Sequence, residues 1–373
     1  MRVICTTVVR SPKQGAPYGY IYDIDWDALE IRKTLPIFAP KDALGLLRNP
    51  FTRFRGPAGL RLTCDAVYVA MGDRITKYDY SWNEVGQIVN PWFSELHELV
   101  VDEDGVWAAS TGLDLAIKVD FSGKVIRCWS PRTYGPLKVI YGIQDQYRGR
   151  WPSGYGMGSF LAGAVLRRFG RLGSLPTRSG APYHVLNVKP KTVVESWLWR
   201  IYRRFPALSA DDFHLNSVYR FQDELYVTIF KWPWNEKACV IRIEPDLGIE
   251  LGCPGLSMVH NGQIIDEERL IINDTGNQSV KLFERKTNRL IRDFPSTSIG
   301  IQGPVWLRGL KKLSDERVLV GVGANNSYGP VQTSRPPPTQ IVELELSTGR
   351  VLKRLILTED TTSSVHGLDA IEE

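Results

Sequence analysis

The chain is poor in the residues that would make its function easy to read. It has five cysteines in 373 residues, at Cys5, Cys64, Cys128, Cys239 and Cys253, and no two form a C-x-x-C pair. An odd, scattered set excludes a disulfide framework and points to reduced thiols. No uninterrupted apolar run approaches the 18 or so residues that a membrane-crossing helix needs. The opening MRVICTTVVRSP lacks the apolar stretch of a secretory signal, so a cytoplasmic protein is expected. P-loop, G-x-S-x-G and H-E-x-x-H patterns are absent, and GYGMGS at 154–159 lacks the strand–turn–helix setting of a phosphate loop. Histidine is scarce too, with five in all.

Charge is uneven although the net value is only +5. Residues 134–210 hold twelve Lys or Arg against Asp145 and Glu195 alone, so the remainder is mildly acidic. No recognised nucleic-acid motif accompanies the basic segment, and nucleic-acid binding is not expected.

The rest of the chain repeats. HELVVDEDGVWAASTGLDLAIKVDFSGKVIRCW, residues 97–129, divides into four β-rich runs separated by Asp, Ser and Gly turns. The same template fits 57–91, 214–251, 260–294 and 304–357. A sixth copy is split. The N-terminus supplies its last three strands, and VHGLDAI at 365–371 supplies the missing innermost one. Such a complement closes a ring and leaves no free edge, so one six-bladed β-propeller spanning residues 1–373 is expected. Residues 134–210 do not fit the template and read as an insertion between blades 3 and 4, a possible lid with short basic amphipathic helices. Trp197, Trp199 and Phe205 lie beside its arginines, which makes peripheral membrane contact through 160–205 conceivable; packing on the propeller is favoured.

His97, His214, His260 and His366 fall at or just before the starts of innermost strands. Such positions share one face and converge on the axis. A ring of imidazoles there suits a divalent transition metal, Zn or Fe(II), or metal-free acid–base work. Glu98, Asn216, Asn261 and Asp369 lie close behind as acceptors that would fix the imidazole tautomers. Two blades lack the histidine, and Arg55 and Arg308 stand near the corresponding places, suited to an anionic substrate. Asp274, in the turn after a second strand, is expected on the same face. His184 lies in the insertion and reads as a loop histidine.

The segments HELVVDEDGVW, HLNSVYRFQDELYVT, GLSMVHNGQIIDEERLIINDTGN and RGLKKLSDERVLVGVG resemble an uncharacterised bacterial family of hypothetical proteins with a propeller-like domain. The chain is similar to a distant member, with Val259 where that family's run has proline and His366 where it has no histidine. The resemblance implies the propeller fold and carries no reaction. Two functions therefore stand side by side: a metal-dependent enzyme acting on a small, anionic substrate at the histidine-lined mouth, or a non-catalytic propeller binding a protein partner or small ligand through that face.

Overall fold

The computed structural model describes residues 1–9, 12, 15–38, 56–90, 93, 95–129, 147–148, 214–230, 239–245, 248–252, 255–324 and 336–372. Arg55, His184 and nearly all of the 134–210 insertion lie outside them.

Six antiparallel sheets make up the structure. Blade 1 joins the two ends of the chain: β25 (Ser363–Ile371) is innermost, followed by β1 (Arg2–Val9), β2 (Gly19–Asp25) and β3 (Glu30–Ile37). Arg2 pairs with Ile371 and Val9 with Ser363, so the terminal complement expected from the sequence is the closing blade. Blade 2 contains β4 (Leu60–Leu62), β5 (Val67–Ala70), β6 (Arg74–Tyr78) and β7 (Glu84–Val89). Blade 3 contains β8 (Leu96–Asp102), β9 (Gly105–Ser110), β10 (Leu115–Val119), β11 (Val125–Trp129) and the short outer β12 (Tyr147–Arg148).

Blade 4 is β13 (Leu215–Phe221), β14 (Glu224–Ile229), β15 (Cys239–Glu244) and β16 (Gly248–Gly252). Blade 5 is β17 (Val259–Ile264), β18 (Arg269–Asp274), β19 (Ser279–Glu284) and β20 (Leu290–Pro295). Blade 6 is β21 (Val305–Ser314), β22 (Arg317–Ala324), β23 (Thr339–Glu345) and β24 (Val351–Thr358). Each innermost strand contacts the next, from β25 through β4, β8, β13, β17 and β21 back to β25.

The core follows from the two-residue period of a strand, which sends alternate side chains to opposite faces. In β9, Val106 and Ala108 pack towards blade 2 while Trp107 and Ala109 pack towards blade 4. In β5, Val67 and Val69 face blade 1 and Tyr68 and Ala70 face blade 3. The result is six apolar wedges, one between each pair of neighbouring blades. Strands buried on both faces need apolar residues at nearly every position, hence runs such as VYVA and RLII.

Polar groups stitch the same seams. Arg220 of blade 4 grips Asp102 of blade 3 with two parallel hydrogen bonds of 3.1 and 2.9 Å. Trp26 of blade 1 donates its indole N–H to Glu343 of blade 6 at 2.7 Å. Both are geometrically specific contacts whose desolvation is offset by good pairing.

Candidate functional site

The innermost strands are regular except near one end. Between Leu96 and Leu99 the register of β8 slips, leaving His97 and Glu98 opposite one residue of β9. Asn216 is the extra residue in β13. Asn261 and Gly262 likewise oppose one residue in β17, Arg308 and Gly309 oppose one in β21, and His366 is the extra residue in β25. A bulge bends its strand and re-aims the surplus side chain. Five blades use it at the same level, and the side chains so released converge.

They line a small depression, partly open to solvent, with Ala58, Gly59, His97, Glu98, Asn216, His260, Asn261, Arg308 and His366 as its walls. Blade 2 contributes only Ala58 and Gly59. A side chain at Gly59 would begin 1.8 Å from the carbonyl oxygen of His97, so glycine is required by the close approach. The gap lets His366 and His97 face one another with ring centres 6.2 Å apart.

Two imidazoles are held alike. His97 Nδ1 lies 2.8 Å from the carbonyl oxygen of Glu95 and 2.9 Å from the Thr111 hydroxyl. His260 Nδ1 lies 2.8 Å from Met258 O and 3.1 Å from the Thr275 hydroxyl. A carbonyl only accepts, so Nδ1 carries a proton in both rings. Each threonine donates onward to the neighbouring blade, Thr111 to Leu215 O at 2.7 Å and Thr275 to Leu307 O at 2.6 Å. Glu95 and Met258 both adopt left-handed backbone angles, with φ of 53° and 50°, beneath the rings they hold. His260 is buried, and that burial, with Arg308, His214 and His97 nearby, holds its pKa well below the ordinary histidine value. It is a neutral ring.

His214 stands just before β13, also in a left-handed conformation with φ of 48°. Its ring bridges the two clamped imidazoles, 5.6 Å from His97 and 6.1 Å from His260, and packs edge-on to Phe230 at 5.1 Å. His366 is differently engaged. Arg308 Nη1 lies 3.2 Å from its Nε2, and a guanidinium only donates, so this lone pair is occupied. Arg308 itself is buried and stacked on Trp306, 4.1 Å from the ring centre. The imidazoles are the groups that could hold a metal, yet among the described residues no three or more His, Cys, Asp or Glu are arranged to do so.

The supporting residues have other duties than the sequence suggested. The tautomers of His97 and His260 are set by backbone carbonyls and threonines, the carbonyls belonging to the left-handed residues Glu95 and Met258. Asn216 donates to Val259 O at 2.6 Å. Asn261 accepts from Gly309 N at 2.9 Å and donates to Glu98 at 2.7 Å. Burial pushes the Glu98 carboxyl up to about 8, with Asp369 adding to the rise and Arg61 and the Asn261 bond opposing it. Asp369 pairs with Lys311 at 2.5 Å, Leu62 N at 2.9 Å and Arg61 at 3.5 Å. Burial alone would raise its pKa, but Arg61 and Lys311 outweigh burial and bring it down.

Asp274 does not line the depression. It is fully buried and takes Ser257 N at 2.7 Å, Asn277 at 2.8 Å and Lys281 at 2.9 Å. Those bonds brace the turn Thr275–Asn277, so Asp274 supports the clamp on His260 rather than facing a ligand. The threonines were missed in the sequence although a signal existed: a Thr-Gly pair follows His97 by 14 residues and His260 by 15.

No protein-family model matches the chain, and no curated protein matches it. Solved structures do. A protein of unknown function from Bacteroides caccae superposes with a TM-score of 0.51 at 11% identity, covering 98% of this chain and 97% of that one. A nidogen/laminin complex structure gives 0.50 at 8% identity, covering 99% and 97%. A streptogramin B lyase structure, at 0.40 and 12% identity over 85% and 84%, is too loose a match to bear on chemistry. At these identities the likeness concerns the fold alone. In that respect the chain is what its resemblance implied, a propeller of the kind found in a bacterial protein of unknown function.

Proposed function

We propose that the mouth binds a small anionic molecule and transfers protons on it, as an acid–base enzyme. The observation that carries this reading is the pairing of a buried, neutral imidazole whose Nε2 is bare, His260, with a buried guanidinium, Arg308, in one small depression. Arg308 supplies positive charge where water is scarce and Coulomb attraction is strong. His260, with Nδ1 already protonated, offers Nε2 as a proton acceptor. Glu98, titrating near pH 8, supplies a second proton-carrying group close to neutrality.

The test is a panel of small organic acids incubated with the protein in D₂O and followed by NMR. Conversion or solvent deuterium uptake should disappear in His97→Gln/His260→Gln, while binding persists. Turnover that survives this double change overturns the acid–base reading. Binding that survives Arg308→Met overturns the anionic one.

A second reading has one observation in its favour. Imidazoles that ligate a metal commonly donate their other N–H to a backbone carbonyl, as His97 and His260 do. A Zn or Fe(II) ion would supply Lewis-acid chemistry, but His97, His214 and His260 are not arranged to hold one together. The Arg308 charge beside the ring opposes a cation there. Stoichiometric metal in untagged, reconstituted protein, lost on His97→Ala, would establish this reading over the first.

A further inference from the structure

Two acceptor atoms of the mouth have identities that geometry forces. Asn216 Nδ2 sits 2.6 Å from Val259 O, and a carbonyl cannot donate, so that end of the amide is nitrogen. The other end is the oxygen Oδ1, and no protein donor meets it although Asn216 is 2% exposed. In His260, Nδ1 faces Met258 O and the Thr275 hydroxyl, and Thr275 spends its own hydrogen on Leu307 O. Nδ1 is therefore the donor, and Nε2 of this neutral ring is an acceptor. It too meets no protein donor, at 3% exposure. Native proteins leave few buried acceptors unpaired, and each such case calls for an explanation.

What answers these two atoms is narrowed by charge and by space. Asn216 holds the carbonyl of Val259, the residue next to His260, which ties the two acceptors across one seam. An anion would meet two lone pairs and gain no hydrogen bond from either. A cation would stand beside Arg308 of the next blade, whose charge His260 already feels. The depression that both atoms line has room for about one water molecule.

We propose that a single water is held there, giving one hydrogen to His260 Nε2 and the other to Asn216 Oδ1, and that His260 takes its proton from this water. The second half rests on the acid–base reading and deepens it, since the reaction becomes addition of water to an electrophilic carbon. With both hydrogens committed, the water's lone pairs face away from the two acceptors, as a nucleophile's must. One O–H bond breaks, its proton passes to Nε2, and its electron pair stays on oxygen to form the bond to carbon. The proton then leaves Nε2 for the atom that receives the pair displaced from that carbon.

The experiment is joint X-ray and neutron diffraction from crystals of the full chain grown in D₂O. One D₂O is expected at about 3 Å from both atoms, its deuteriums directed at Nε2 and Oδ1. Asn216→Val removes one acceptor and should lose most of that density, with His260 Nδ1 still on Met258 O. No water touching both atoms, or an anomalous peak marking a metal in its place, overturns the site. The chemical half is read in H₂¹⁸O with fumarate and monomethyl succinate, one hydratable and one hydrolysable. Label should enter the product above the level seen in His97→Gln/His260→Gln. Deuterium uptake in D₂O without ¹⁸O incorporation overturns water as the reactant and leaves the acid–base reading standing. Turnover that survives the double change removes that reading and the water's chemical role with it, while diffraction decides the site independently.

Discussion

The seams between blades and the rim of the mouth are built from the same innermost strands by opposite rules. In β17, Val259 and Ile264 keep to the two-residue alternation and disappear into the wedge against blade 4. Between them the strand bulges, and His260 and Asn261 turn to the mouth. The seam is regular, apolar and insensitive to which blade is considered. The rim is irregular, polar and different in every blade. Stability therefore resides in what repeats, and chemistry in what departs from the repeat.

The sharpest way to break this division is to damage one side and watch the other. Phe283 is almost fully buried in the wedge between blades 4 and 5. Phe283→Ala should cost about 3–5 kcal/mol in urea unfolding, the usual toll of an aromatic-sized cavity. Any ligand affinity at the mouth should be unchanged. Arg308→Met, which keeps a stem to pack on Trp306, should cost about 1 kcal/mol and abolish anion binding. A wedge mutation that altered affinity as much as Arg308→Met would erase the distinction.

The comparison also explains what could be read in the sequence. The wedges were legible because burial on both faces leaves an unbroken apolar signature, as in β18 and β22, and because Ser and Gly turns punctuate it. The split blade was legible because a strand was missing at one end and surplus at the other. The rim was half legible. Histidines at equivalent repeat positions stood out, but their spacing from the strand start varied by a residue or two. The bulges account for that variation, and a bulge in these strands leaves no compositional mark. Asp274 could not be separated from Asn261 by pattern alone, since both sit among Asx-rich turns. Only the register shows that one braces a turn and the other faces the mouth. Arg55 and nearly all of the insertion lie outside the described residues.

Glu98 sharpens the comparison through pH. Its carboxyl is raised from 4.5 to about 8, so the folded protein holds this proton more tightly than the unfolded chain does. Its favourable contribution is complete below the ordinary carboxyl range and is lost as pH rises through about 8. Glu98→Gln removes that loss. Relative to the unaltered protein, the variant should gain on the order of 1–2 kcal/mol between pH 5 and pH 9, after discounting for partial exposure to water. Other titrating groups are common to both proteins and cancel in the difference. Parallel stability–pH curves would mean that Glu98 ionises normally, and the rim would lose its second proton carrier.

The smallest effect addresses the clamp itself. Thr111 and Thr275 each join an imidazole to the next blade, so they belong to seam and rim together. Thr111→Val and Thr275→Val conserve shape while removing one hydroxyl. Each should cost about 1 kcal/mol, the net worth of an ordinary hydrogen bond. The more telling readout is the ¹⁵N spectrum of the imidazoles. Glu95 O and Met258 O still demand a proton on Nδ1, so the tautomer should hold in both variants even as stability falls. If His260 instead moved its proton to Nε2, the hydroxyl rather than the carbonyl would be setting the state of the ring. The bare lone pair on which the acid–base reading depends would then owe its existence to the seam, and the division between what stabilises and what reacts would fail at this one residue.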